Sequence, residues 1–122
     1  MPPKPLFDLD LVDLSATVFA RQHIRQRIAQ RAEMEMIDRI VLFEPERGRI
    51  AGVKEVRKEE FWVAGHFPGR PLFPGVLMIE AAGQLCSFYF AQVGGADTVI
   101  AFAAADNVRF RGVVTPGDTL VI

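Results

Sequence analysis

The sequence is poor in the residues that usually carry metals, redox chemistry and disulfides. Cys86 is the only cysteine, and His23 and His66 are the only histidines, among 122 residues. A lone cysteine excludes an intrachain disulfide and suits a reducing compartment such as the cytoplasm. With two histidines it gives no support to a Cys/His metal site, so no metal is expected. Excess charge of one sign is also missing: 14 Lys+Arg stand against 15 Asp+Glu, which removes any global bias toward nucleic acid. The opening residues, MPPKPLFDLDLVDLS, carry acids where a signal peptide needs an apolar core, so secretion is not expected. An uninterrupted apolar run is absent as well. The longest, residues 76–93, is broken by Glu80, Gln84 and Gln92, and it reads as a buried helix and not as a membrane span.

What is present is enough apolar material for one core. Half of the residues are hydrophobic and ten are Phe, which suits a single domain. Residues 1–14 read as a tail or a short extended segment, from the alternation Phe7-Asp8-Leu9-Asp10-Leu11. Ser15 is a candidate N-cap for a helix that places Ala20, Ile24 and Ile28 on one face. Arg21, Arg25 and Arg31 fall on other faces, as expected of a solvated amphipathic helix or of a docking surface for an acidic partner. Residues 34–44 and 49–57 form two strand-like runs separated by Pro45-Glu46-Arg47-Gly48, a hairpin pattern.

Residues 76–93 then predict a helix that is apolar all round and buried on every side, ended by Gly94 and Gly95. Residues 97–112 and 117–122 read as two further strands joined by the turn Thr115-Pro116-Gly117-Asp118. In the first of these, Asn107, Arg109 and Arg111 share one face and Val108 and Phe110 the other. An antiparallel sheet around one helix satisfies this order of elements. Such a sheet, stopping at Leu120-Val121-Ile122, would leave an apolar edge, so the chain is expected to be a fragment or to be completed by another chain.

Chemistry concentrates in GHFPGRPLFPGVLMIEAAGQ, residues 65–84. Pro74-Gly75 leads directly into the long helix, whose first amides lack intrahelical partners and carry partial positive charge. Gly75 leaves space for a carbonyl oxygen to approach those amides and be polarised there. Glu80 lies further along the helix in apolar surroundings, where burial favours the neutral, proton-donating acid. Gln84 is one turn beyond on the same face and can orient that carboxyl. His66, on the loop, is the natural base, because imidazole titrates near neutral pH. Each feature has a plainer reading: a structural histidine, a solvated helix glutamate, or a polyproline II ligand formed by Pro68, Pro71 and Pro74. Gly69 and Gly75 weaken the last of these, and on residues alone the catalytic and structural readings stand about level.

The same stretch resembles the hotdog-fold (3R)-hydroxyacyl-[acyl-carrier-protein] dehydratases of the FabZ type, with the form G-H-F-P-G-x-P-x-x-P-G-V-L-x-x-E-A-x-x-Q satisfied throughout. Arg31, Asp38, Arg39 and the run FAAADNVRFRGVVTPGDTL extend the likeness over residues 28–122. Residues 1–27 then remain as an N-terminal tail and amphipathic helix. The resemblance implies an α+β hotdog, a curved antiparallel sheet around a central helix, whose last strands are not in this sequence. It implies reversible dehydration of a 3-hydroxyacyl thioester on acyl carrier protein, in fatty-acid biosynthesis. His66 and Glu80 take the catalytic positions, Gly75 and Val76 offer amides to the thioester carbonyl, and Gln84 orients Glu80. Phe67, Leu72, Phe73, Val76 and Met78 are candidates for the acyl tunnel, and Arg70, Arg109 and Arg111 for contact with the acidic carrier. No metal or redox cofactor is called for, since the thioester itself acidifies its α carbon. The resemblance further implies a cytoplasmic homodimer that shares each site between chains, in the family often a trimer of dimers. Glu80, in place of the Asp of the isomerase branch, favours the plain dehydratase. Gln30-Arg31-Ala32-Glu33-Met34 replaces the family's usual His-Arg-Tyr-Pro-Phe. A hotdog acyl-thioesterase and a non-catalytic acyl-carrier-binding hotdog subunit are the alternatives.

Overall fold

A computed structural model describes residues 4–94 and 100–122. Four strands, β1 (Phe19–Ala20), β2 (Arg39–Glu44), β3 (Arg49–Glu55) and β4 (Thr119–Val121), form one antiparallel sheet in chain order. Two α-helices accompany it, α1 (Arg21–Arg27) and α2 (Gly75–Gly94). The hairpin expected from the sequence is the pair β2 and β3, joined by a 3-10 turn at Pro45–Arg47. Gly48 closes that turn at φ 63°, a left-handed conformation in which a glycine carries no Cβ penalty. The turn at residues 115–118 also forms, with the Thr115 amide donating to the Asp118 carboxylate at 2.9 Å.

The first helix is shorter than the sequence suggests. Ser15 does not cap it, because its amide and hydroxyl both donate to Asp13 Oδ1, at 2.9 and 2.6 Å. Phe19 and Ala20 instead pair with Ile40 and Arg39 at the sheet edge, and α1 starts only at Arg21. The arginines on and just after it are partly or fully solvent-exposed, as a solvated helix requires, and each is also tied to a group of the same chain. Arg21 pairs with Asp38, Arg25 forks onto Glu35 at 2.6 and 2.9 Å, and Arg31 donates to the carbonyls of Arg25, Ile28 and Gln30. Upstream, Leu9–Leu11 form a 3-10 turn and Val12 packs with Val41, Ala51 and Val53 on the sheet.

The main core lies between the sheet and α2. Ile24, Met36, Ile37, Ile40, Trp62, Phe73, Ala81, Leu85 and Phe88 form it. Burial of α2 is one-sided, contrary to expectation. Ala81, Leu85, Phe88 and Ala91 face the core, while Val76 is 70% and Phe90 59% exposed. A four-stranded sheet covers a single side of a helix, and apolar composition cannot say how much sheet is there to cover the other. The strand expected over residues 97–112 is likewise not observed; residues 97–99, and Gly95 at the helix end, lie outside the described residues. Residues 100–112 are irregular and exposed, and their backbone finds no strand partner among the described residues. A strand is a paired state, so alternation alone does not make one.

Candidate active site

The loop from Trp62 to Pro74 presents His66 through backbone bonds. The Trp62 carbonyl accepts the His66 amide at 2.8 Å, and the His66 carbonyl accepts the Leu72 amide at 2.7 Å. The imidazole Nδ1 lies 2.7 Å from the Leu72 carbonyl oxygen. A carbonyl can only accept, so Nδ1 carries the proton and Nε2 keeps the basic lone pair. Phe67 stacks on the ring, with centroids 4.3 Å apart and planes 24° apart.

Beneath this loop lies an ion pair between a buried lysine and a partly buried glutamate. Lys54 on β3, only 3% exposed, places its ammonium 2.7 Å from Glu60 Oε1. The indole N–H of Trp62 donates to the same oxygen at 3.1 Å, and the Arg57 amide donates to Oε2 at 2.7 Å. Phe73 packs edge-on to Trp62 and under the Lys54 ammonium, which is 5.5 Å from its ring centre. Burial pushes the Glu60 carboxyl up, but the Arg57 amide, Lys54 and Trp62 together hold it below the ordinary glutamate value. A carboxylate depressed in the folded state contributes stability above its unfolded value, about 4.3, and loses it as pH falls through the lower folded value. Glu60→Gln should therefore reduce the stability lost between pH 7 and acid pH, as urea titrations at the two pH values would report.

On α2, Gln84 is 1% exposed and makes three hydrogen bonds. Its Oε1 accepts the Met36 amide at 2.9 Å, while Nε2 donates to the Met34 carbonyl at 2.6 Å and to Glu80 Oε1 at 2.9 Å. The backbone of residues 34–36 thus dictates which way the amide faces, and one N–H is left for the carboxylate. This also explains why β2 begins at Arg39 and not near residue 34: the backbone groups a strand would use are given to Gln84. Gln30 Nε2 is 3.4 Å from the same Glu80 oxygen.

Glu80 opens into a cavity of about 820 Å³. Its walls are mainly apolar, with Met78, Ile79 and Cys86 from α2 and Ile100, Phe102 and Phe110 from the covering segment. Close contact requires glycine twice. A Cβ on Gly75 would lie 2.8 Å from the Phe110 ring, and one on Gly83 would overlap Phe102. The space that Gly75 was expected to leave for a ligand is, within one chain, taken by Phe110. At the helix start the Leu77 and Met78 amides both donate to the Pro74 carbonyl, at 3.0 and 3.3 Å. The Gly75 and Val76 amides have no backbone acceptor among the described residues.

The structure thus joins Glu80 and Met78 at one cavity, with Gln84 buried behind Glu80, and it does not bring His66 to that cavity's walls. Phe73 is a core residue, and Leu72 contributes its carbonyl to His66. Phe67 and Val76 are exposed. Arg109 lines the cavity and donates to Asn107 at 2.6 Å, while Arg70 and Arg111 are exposed. Gln30, which opens the run that departs from the family's pattern, was not expected to touch Glu80, and the Lys54–Glu60 pair was missed. A lysine between Val53 and Val56 in a strand-like run was the available clue to the latter.

A long helix backed by an antiparallel sheet, with a histidine loop at its N-terminus and a carboxyl on its cavity face, defines a hotdog-fold protein. The chain belongs to the FabA-like family, whose model, described as FabA-like domain, matches residues 28–122. It is 38% identical over 97 residues to the 3-hydroxyacyl-[acyl-carrier-protein] dehydratase FabZ of Rickettsia massiliae, covering 78% of this chain and 66% of that one. It is 39% identical over 109 residues to the FabZ of Geobacter metallireducens, covering 87% of this chain and 72% of that one. The chain therefore spans about two thirds of the length of these relatives. The helix α2 is long and apolar enough to cross a membrane. Its contacts with the sheet, and the Glu80–Gln84 pair on it, make it the core helix of this fold.

Proposed function

We propose that the protein reversibly dehydrates (3R)-3-hydroxyacyl-[acyl-carrier-protein] to the trans-2-enoyl thioester in cytoplasmic fatty-acid synthesis; its two relatives are named 3-hydroxyacyl-[acyl-carrier-protein] dehydratases. The observation that carries the reading is Glu80, held by Gln84 at the wall of an apolar cavity. His66 Nε2 takes the α proton while the Gly75 and Val76 amides stabilise the enolate-like oxygen. The Cα–H electron pair becomes the new C=C bond, the Cβ–O bond breaks, and Glu80 gives its proton to the departing hydroxyl, which leaves as water. Phe110 must move from Gly75 for the thioester carbonyl to reach the helix terminus.

His66 of one protomer serves the Glu80 cavity of its partner in a homodimer, which accounts for its absence from the cavity walls within one chain. Arg70, Arg109 and Arg111 offer positive charge to the acidic carrier protein. The test is hydration of a trans-2-enoyl thioester, followed as loss of conjugated absorbance, with a thiol-trapping reagent present. Glu80→Gln keeps an oxygen for Gln84 but has no acidic proton, so hydration should fall about 10²–10⁴-fold. Thiol release without hydration would identify a hydrolase instead, and carrier binding without turnover a non-catalytic subunit.

A further inference from the structure

The mechanism leaves one charged pair unused. Lys54 is buried and Glu60 partly so, and what they hold is the catalytic loop on both sides of His66. On one side, Glu60 accepts the indole N–H of Trp62, whose carbonyl accepts the His66 amide. On the other, the Lys54 ammonium faces the ring of Phe73, which follows Leu72, whose carbonyl accepts His66 Nδ1–H. The Phe73 amide is in turn fixed to the Val114 carbonyl at 2.7 Å. Both carbonyls that fix the histidine therefore belong to residues tied, directly or through the next residue, to the Lys54–Glu60 ion pair.

Burying the Lys54 ammonium is expensive even beside the partly exposed Glu60 carboxylate, and an apolar pair of similar volume often serves stability as well or better. What an apolar pair would lack is direction. The Glu60 oxygens accept from three groups at 2.7–3.1 Å, and this fixes the Trp62 indole plane and the start of the loop. The geometry points to Lys54, Glu60 and Trp62 as positioning residues that hold His66 in its Nδ1–H tautomer with Nε2 aimed at the substrate. This rests on the dehydratase reading for its effect on turnover, but the tautomer itself can be observed without substrate.

The test compares Lys54→Met, Glu60→Gln and the milder Trp62→Phe, which keeps a smaller aromatic ring and removes the N–H bond to Glu60. In the full chain, enoyl-thioester hydration should show kcat lowered about 10–100-fold with KM nearly unchanged, since small misplacement of a catalytic group costs rate more than binding. Lys54→Arg should recover much of the loss. Added to His66→Ala, each variant should lower the residual rate no further. Val12→Ala, which loosens the separate cluster on the sheet, should leave kcat as it was. Imidazole ¹⁵N shifts of His66 should show well-separated nitrogens in the wild type and a partly averaged pair in Trp62→Phe and Glu60→Gln. Folded variants with wild-type kcat and unchanged ¹⁵N shifts would overturn the inference, as would equal losses in the presence and absence of His66. A wild-type protein that does not hydrate the thioester would refute the dehydratase reading, and the ¹⁵N comparison would then decide the positioning role alone.

Discussion

His66→Ala should lower enoyl-thioester hydration by about 10²–10⁴-fold, the usual contribution of a positioned general base. The reason lies in a single hydrogen bond. Nδ1 is committed to the Leu72 carbonyl at 2.7 Å, so Nε2 is the only nitrogen that can take a proton. Alanine removes that nitrogen while leaving the two backbone bonds of residue 66 intact, so the loop should keep its course. The loss should therefore appear in kcat, with far-ultraviolet circular dichroism and thermal unfolding close to wild type. His66→Gln offers an informative contrast. Its side-chain N–H can donate to Leu72 but supplies no base, so it should be as inactive as alanine. Because the two catalytic groups come from different protomers in this reading, mixing inactive His66→Ala with inactive Glu80→Gln should restore activity. A mixed dimer contains one site with both native residues. Failure of subunit mixing to restore any rate, in a preparation shown to exchange protomers, would argue against a shared site.

The second large effect is on stability. Phe88 is 0% exposed and sits where α2 meets β2 and the first strand. Its ring lies 5.3 Å from Phe19 and 6.4 Å from Phe43, with His23 6.0 Å away and tied to Gln92 at 2.9 Å. Phe88→Ala should cost about 3–5 kcal/mol, because it loses the transfer energy of the ring and leaves a cavity that these neighbours fill only in part. Domains of this size are stable by about 5–15 kcal/mol, so the variant should unfold at much lower urea with little change in slope. Phe88→Leu keeps most of the volume and should lose clearly less. Equal losses in the two variants would mean that the site relaxes freely and is not close-packed.

Local chemistry was legible wherever a few neighbouring residues decide the outcome. Pro45 to Gly48 made the hairpin turn, Thr115 to Asp118 made the second turn, and the proline-free run after Pro74 made the long helix. The Glu80–Gln84 pair followed from their spacing on one helical face. Where the reading failed, a distant partner had intervened. Ser15 is a sound helix cap by type, yet Asp13 takes its hydroxyl and β2 draws Phe19 and Ala20 into the sheet. Residues 100–112 alternate like a strand but have no neighbour to pair with among the described residues. Arg21 and Arg25 are partly solvent-exposed, as a solvated helix face requires, but their pairing with Asp38 and Glu35 depends on residues no local pattern names.

By itself the sequence determined the family-defining chemistry: a histidine, a helix terminus and a carboxyl at set separations, because spacing along a loop and helix is fixed by covalent geometry. Only the tertiary structure decided which of these groups meet. It put Glu80 at the wall of an apolar cavity with Gln84 buried behind it, kept His66 off the cavity's walls, and set Phe110 against Gly75. It also revealed the pairing of the buried Lys54 with Glu60 beneath the His66 loop. Contacts of that kind join residues far apart in the chain, and their energies depend on packing and desolvation that no local pattern encodes.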